Sequence, residues 1–243
     1  MKKILLAAVV AAMVCGCAKK VDTLKMITEA TFPPYEFLRG QEIVGIDVEI
    51  CRAVAQKMGL TFQSETVDFD SVIPAVISGK ADLAAAGITV TEDRKKNVDF
   101  SIPYTTTGIV VIYKLSDGYA GPESLKGRRI GVQAGTTSET YVLEQLGQQP
   151  ERSRSPAEAV AGLKAGRVDY VIADIDPAKN CIKGAWDLAI SDFISKEDYA
   201  IAIRKGRPEL LKVINETIAE IKADGRLAKW IADYTKEADS LKE

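Results

Sequence analysis

Short apolar runs alternate along this chain with longer stretches in which apolar residues return every three or four positions. The first kind predicts strands and the second helices. The pattern predicts a strand over 24–28, a helix over 48–58, a strand over 61–66, a helix over 71–78 and a strand over 81–85. It then restarts, with a strand over 129–133, helices over 138–146 and 156–165, and a strand over 170–173. Strands separated by helices at this spacing predict an α/β chain whose parallel sheets are covered on both faces. The last stretch, PELLKVINETIAEIKADGRLAKWIADY, reads as two helices, with Pro208 at a first-turn position and Gly225 after a helix end.

The two halves of this pattern contain stretches that run alike. IPAVISGKADLAAAGITV and AVAGLKAGRVDYVIADID each read helix, glycine, base, small residue, aspartate and apolar strand. Aligning Gly79 with Gly166 and Asp82 with Asp169 also brings Gly87 opposite Asp174. In an open α/β sheet both positions lie at the carboxyl ends of strands, where such sheets bind ligands. Two lobes would present these ends to each other across a cleft, and about 225 residues exceed the usual size of one domain. Helix, glycine and strand is also a common α/β unit, so the match by itself leaves chance similarity open.

The N-terminus differs in character. Lys2 and Lys3 precede the run ILLAAVVAAMV and then VCGC, the layout of a basic region, a short apolar region and a small-residue processing site. A run of this length is too short for a membrane-spanning helix, which needs about 20 residues, so residues 1–16 are expected to be a signal peptide. Val14-Cys15-Gly16-Cys17 resembles the bacterial lipobox. That resemblance makes Cys17 the expected lipid attachment point, ahead of Cys15, which follows the larger Val14. Residues 17–22 would be a lipid-tethered linker, and the protein would lie in the periplasm or at the cell surface, anchored to a membrane.

Loss of Lys2 and Lys3 with the leader leaves 30 basic residues against 34 acidic, a net charge of about −4. Such a chain lacks the basic face that nucleic acid requires. Cys51 and Cys181 could be joined in an exported protein, but spacing does not bring their Cα atoms within about 7 Å, and two buried thiols are the plainer expectation. The chain has no histidine, which removes Ser-His-Asp and Cys-His triads and the usual histidine zinc sites. Neither a P-loop nor G-x-G-x-x-G occurs, and no cofactor is expected.

FPPYEF is followed by VGIDVEI, then DSVIPAVISGKADLAAAGITVTEDRKKNVDFSIPY, then LKGRRIGVQAGTTSE, then GRVDYVIAD. In this order and spacing the motifs resemble the polar amino-acid-binding proteins of bacterial ABC importers, the solute-binding proteins of family 3. The resemblance covers essentially the whole chain after the leader. It implies the periplasmic-binding-protein fold of type 2, two α/β lobes joined by two hinge strands, with one ligand in the cleft between them. Lobe I is expected over 23–108 and 203–243, and lobe II over 109–202. The implied partners are a free L-amino acid and an ABC permease in the membrane, and the implied state is a monomer.

A free amino acid is a zwitterion, so its common part needs an anion site and a cation site a few ångströms apart. Arg94, at the family's carboxylate-binding position in GITVTEDR, can fork onto the α-carboxylate with two charge-assisted bonds. Without the resemblance, an arginine in TEDRKK would read as part of a solvated helix face. The resemblance gives Thr89 a hydroxyl contact to the ligand's α-groups and Gly87 a carbonyl contact to its ammonium. QAGTTSE lies between a strand and a helix, with Ser138 or a neighbouring threonine as N-cap, and its N–H groups suit an anion. Thr136 and Thr137 are therefore expected to hold the same carboxylate from the other lobe.

Asp174 matches the family's ammonium-binding aspartate, its plain alternative being an N-cap for the next segment. Phe32 and Phe69 stand where the family sandwiches the ligand's side chain, and Glu29 stands where it faces that side chain's distal end. Pro33 and Pro34 lack N–H donors and fix φ, so they stop the strand and stiffen the loop that carries Phe32. Tyr35, Glu36 and Phe37 read as packing and loop-anchoring residues, and Asp47 as the N-cap of the next helix.

Glu29 and two phenyl faces favour a flat cationic side chain. Gln133 stands where glutamine-binding relatives place a lysine and where arginine-binding relatives also carry a glutamine. The expected order of ligands is arginine, then lysine or ornithine, then glutamine. Cyclohexadienyl dehydratases share this fold, but they need an acid placed to expel a hydroxyl group, and the best-placed carboxylates here have amino-acid roles; no enzyme is expected. A sensory role would require a separate signalling partner.

Overall fold

The computed structural model of the protein describes residues 22–240. The expected signal peptide over 1–16, the lipid site Cys17, and all of the 17–22 linker except Asp22 lie outside the described residues. In chain order the first elements are β1 (Thr23–Thr28), β2 (Thr31–Phe32), β3 (Glu36–Arg39), β4 (Glu42–Val44), α1 (Ile46–Met58), β5 (Thr61–Thr66) and α2 (Val72–Ile77). Next come β6 (Leu83–Ala84), α3 (Glu92–Lys95), β7 (Val98–Phe100), β8 (Thr105–Lys114), β9 (Ile130–Gln133), α4 (Thr137–Glu144), β10 (Glu151–Ser153) and α5 (Pro156–Lys164). The last are β11 (Tyr170–Asp174), α6 (Ile175–Ile182), β12 (Leu188–Ile190), β13 (Ser195–Tyr199), β14 (Ala202–Arg204), α7 (Pro208–Ala223) and α8 (Arg226–Ser240).

Two sheets form the two lobes. The first has the order β5-β1-β6-β14-β7 and the second β10-β9-β11-β8-β12, with β13 also paired to β8. Neither is purely parallel, which corrects the expectation from spacing. β1 runs parallel to β5 and β6, whereas β14 runs antiparallel to β6 and β7. β9 runs parallel to β10 and β11, whereas β8 runs antiparallel to β11, β12 and β13. The reversed strands β8 and β14 are those by which the chain enters one sheet from the other. β8 also hides from pattern reading, because residues 107–112 are all buried and a strand covered on both faces shows no alternation.

Alternation along the remaining strands separates two apolar layers on each sheet. In the first lobe Leu24 and Met26 pack with α1, α7 and α8, while Ile27 packs with Val72 and Val76 of α2. In the second, Val171 and Ala173 pack with α5, while Tyr170 and Ile172 pack with Val142 of α4.

The repeated aspartates do the same work in both lobes. Asp82 Oδ2 accepts the N–H of Lys25 at the start of β1, and Asp169 Oδ2 accepts that of Arg129 just before β9, each at 2.9 Å. Each aspartate's own N–H donates back to the carbonyl of the same residue, at 2.9 and 2.8 Å. The preceding glycines, Gly79 and Gly166, both take the left-handed conformation, φ 79° and 73°. This shared fixture sets β6 beside β1 and β11 beside β9.

Four local expectations resolve. Gly45, φ 135°, stands at the N-cap of α1, so Asp47 is not the cap. Its carboxylate lies inside the lobe and accepts the N–H of Gly87 at 2.9 Å. Thr136 is the cap of α4, its hydroxyl accepting the Glu139 N–H at 3.3 Å. Pro208 opens α7, and Gly225, φ 83°, separates α7 from α8. Cys51 is buried, Cys181 is half-buried, and no disulfide joins them.

Candidate functional site

Every residue proposed from the sequence for ligand contact lies at or just past the carboxyl end of a strand, save Phe69 and Arg94, which stand on short helical turns. Glu29 follows β1, Gly87 and Thr89 follow β6, Gln133 ends β9, and Asp174 ends β11. The two sheets turn these ends toward each other. Arg94 shows this directly: its Nη1 donates to Thr89 O at 2.8 Å and its Nη2 to Gly135 O of the other lobe at 3.0 Å. Thr91 caps the turn that carries Arg94, accepting its backbone N–H at 3.2 Å. The guanidinium lies over the Phe69 ring, 5.6 Å from its centroid. A guanidinium has five N–H donors, so three remain for a ligand. Burial lowers the Arg94 pKa, and the charges that oppose this most are Glu197 and Asp174.

Gly135 permits the approach of the lobes. A Cβ there would fall 2.9 Å from the Asp70 Cα, and its φ of 78° suits glycine. Gly87 has the same function under the aromatic wall, since a Cβ would meet the Phe32 ring at 2.7 Å. Phe32 packs against Tyr35 and Tyr199, with ring centroids 5.8 and 6.3 Å away.

Four polar side chains define the electrostatics. Glu29 is buried; the Thr31 hydroxyl donates to its Oε1, and its Oε2 has no hydrogen-bond partner. Burial raises its pKa, while Thr31 and the Gln133 amide beside it pull the other way. Asp174 stands at the N-cap position of α6, but its carboxylate caps nothing there. Instead it accepts the hydroxyl of Tyr199. Burial, then the nearby Glu197 charge, push the Asp174 carboxyl up to about 7. Glu197 is buried on β13 and accepts the Thr89 hydroxyl at 2.5 Å.

The threonine turn departs in detail from expectation. Thr136 donates its one hydroxyl proton to Gln133 O at 2.7 Å, so toward a carboxylate it has only its backbone N–H to offer. Thr137, first residue of α4, is half-buried and lines an open groove with Thr89 and Glu197. The Gln133 side chain donates to Arg154 O at 2.9 Å. Sequence reasoning missed Glu197 and Tyr199. The structure places both on the buried side of β13, where burial alternates along SKEDY.

Among the described residues no helix is long and apolar enough to cross a membrane, and no group of Cys, Asp and Glu is arranged to hold a metal ion. The chain matches the family described as bacterial extracellular solute-binding proteins, family 3, over residues 24–237. It is 33% identical over 237 residues to ABC transporter arginine-binding protein 1 of Escherichia coli K12, covering 94% of this chain and 97% of that one. Among solved structures it resembles the amino acid ABC transporter substrate-binding protein AbpA of Streptococcus pneumoniae bound to L-arginine. There the TM-score is 0.81 at 34% identity, over 89% of this chain and 95% of that one. It also resembles the ancestral amino acid-binding protein AncCDT-1, described as a precursor of cyclohexadienyl dehydratase, with a TM-score of 0.80 at 33% identity over 88% and 95% of the two chains. With the motifs, the two-lobed fold and this match over nearly all described residues, the chain belongs to the bacterial extracellular solute-binding proteins, family 3.

Proposed function

We propose that the cleft binds a free L-amino acid with a cationic side chain, arginine before lysine or ornithine, and delivers it to an ABC permease. The observation that carries this reading is Glu29, a buried carboxylate with one oxygen that makes no hydrogen bond although the Gln133 amide lies beside the group. Burying an ionised carboxylate is costly unless a donor or cation meets it, and a guanidinium would supply both. Phe32 and Phe69 would flank the side chain, Arg94 and the α4 turn would take the α-carboxylate, and Asp174 with Gly87 O and Thr89 would take the ammonium. The names of the E. coli and S. pneumoniae relatives support arginine as the first solute to test. Micromolar affinity, about −8 kcal/mol, spread over about twelve non-hydrogen atoms of arginine is roughly −0.7 each, within reach of small ligands.

Titration calorimetry of ligand-stripped protein with arginine, lysine, ornithine, histidine, glutamine and glutamate tests the ranking. Arginine is expected to bind most tightly, and Glu29→Gln to weaken it tenfold or more while glutamine changes little. Glutamine binding more tightly than arginine in the wild type would remove Glu29 as the selector. Lipid attachment at Cys17 belongs to the same proposal: Cys17→Ser should move the protein from the detergent phase to the aqueous phase on phase partitioning.

One observation favours a second reading. A buried acid such as Asp174, raised to about 7, suits expulsion of a hydroxyl group, and AncCDT-1 shares the fold. Incubation with prephenate and arogenate decides the matter, and no turnover is expected.

A further inference from the structure

Glu197 is assigned no ligand role above, yet its contact with the Thr89 hydroxyl and its charge bear on both ends of the site. It is 6% exposed and lies on β13 beside the strand that carries the chain between lobes. Among charged groups it acts most strongly on Arg94, favouring its protonated form, and most strongly on Asp174, disfavouring ionisation. These are the residues proposed for the carboxylate and the ammonium of the ligand.

The contact with Thr89 is the informative one. A threonine hydroxyl carries one proton and two lone pairs. The proton of Thr89 is committed to Glu197 Oε2 at 2.5 Å, and the Thr89 carbonyl is committed to Arg94 at 2.8 Å. What the hydroxyl still offers is lone pairs, which suit an ammonium and repel a carboxylate. We infer that Glu197 is a positioning residue that orients the Thr89 hydroxyl as an acceptor, so that the α-ammonium can lie only on the Thr89 and Asp174 side and the α-carboxylate only on the Arg94 side. This rests on the reading of the cleft as an amino-acid site. It makes the polarity of the bound zwitterion a property of a residue that touches no ligand atom. With glutamine at 197 the side-chain NH2 could donate to the Thr89 oxygen instead, and the hydroxyl would lose its fixed direction.

The test compares L-arginine with 5-guanidinopentanoate, which is arginine without its α-ammonium. Both are titrated into the purified full chain as wild type, Glu197→Gln, Thr89→Val, Thr89→Ser, and the double variant Thr89→Val with Glu197→Gln, each checked for an unchanged thermal transition. Glu197→Gln is expected to weaken arginine about tenfold and to leave 5-guanidinopentanoate within about twofold. Thr89→Val should cost arginine a similar factor, the double variant should be no worse than Thr89→Val, and Thr89→Ser should bind like wild type. Equal losses for the two ligands, or a double-variant loss equal to the product of the single losses, would overturn the inference in favour of a merely structural Glu197. A wild type that binds no amino acid overturns the proposed function itself, and is told apart because it fails before any variant is made.

Discussion

Asp174 shows how burial prepares a residue for one kind of partner. Its carboxyl stands at about 7 because the fold removes water from it and sets Glu197 beside it. An ammonium placed against it would favour the ionised form and lower that pKa. Binding therefore releases a proton when it begins from protonated Asp174. Arginine affinity is expected to hold steady above pH 7 and to fall below it, approaching tenfold per pH unit. Asp174→Asn should bind weakly and show a shallower profile between pH 8 and 5, with only the fall due to Glu29 remaining; a wild-type profile no steeper than that of the variant would mean that Asp174 does not face the ammonium. The sequence made this residue legible through DYVIAD, where an aspartate ends an apolar strand opposite Gly87 of the first half. Glu197 and Tyr199 were not legible in the same way. Their strand is short and half exposed, and nothing in SKEDY tells which of its three charged residues faces inward until pairing with β8 sets the register.

Between elements, α6 and the loop after β2 make a contact that no ligand need mediate. Tyr35 Oη donates to Asp176 Oδ2 at 3.0 Å, and Asn180 Nδ2 donates to Pro33 O at 2.9 Å. Asp176 and Asn180 are four residues apart, hence on one face of α6, and both partners lie in the PPY turn. These bonds exist only while the lobes are together, so they favour the closed form by the same amount whatever the ligand. Tyr35→Phe and Asn180→Ala are each expected to raise Kd roughly threefold to tenfold, the worth of one hydrogen bond. The factor should be equal for arginine, lysine and ornithine, and should appear in stopped-flow experiments as faster dissociation. A change in ligand ranking would place these residues at the ligand instead. At this scale the helices α1, α2, α4, α5, α7 and α8 and the parallel strands β1, β5, β6, β9 and β11 were readable from period and punctuation, down to Pro208 and Gly225, whereas the short helices α3 and α6 and the three-residue parallel strand β10 were not. The antiparallel strands were not: β8 lacks alternation because it is buried on both faces, and β14 is three residues long, defined by its neighbours rather than by its own composition. Asp47 misled for a related reason, since an acid just inside a helix start resembles a cap unless one knows that the Gly87 N–H needs an acceptor.

Across the whole molecule the chain changes sheet between Phe100 and Thr105 and again between Tyr199 and Ala202, just ahead of the boundaries at 108 and 202 expected for lobes 23–108 with 203–243 and 109–202, and we take these passages as the hinge. The protein carries buried acid near that hinge, where Tyr104 lies against Asp47. Glu36 and Asp47 are wholly buried, with Asp47 pushed up to about 6 and Glu36 raised well above its usual range, in each case by burial first. Glu29 and Asp174 are raised for the same first cause. A carboxyl whose folded pKa exceeds its unfolded value binds more protons in the fold than in the open chain, so stability falls as pH rises through the interval between the two. For these four groups the interval starts near pH 4, runs to about 6 for Asp47 and about 7 for Asp174, and each unit is about 1.4 kcal/mol. Glu92, Asp169 and Asp224 are shifted downward by their cationic partners, but they titrate below that interval and do not oppose the trend within it. The ligand-free protein should therefore melt at a higher temperature at pH 5 than at pH 8. Saturating arginine should stabilise the protein more at pH 8 than at pH 5 and so narrow the difference, because its ammonium and guanidinium would meet Asp174 and Glu29 only when both are ionised, while Glu36 and Asp47 keep their own trend. Scanning calorimetry of both forms at the two pH values tests this. A ligand-free transition that rises with pH would show that these acids are not held protonated by the fold, and an arginine stabilisation no larger at pH 8 than at pH 5 would show that the ligand's cations do not reach them.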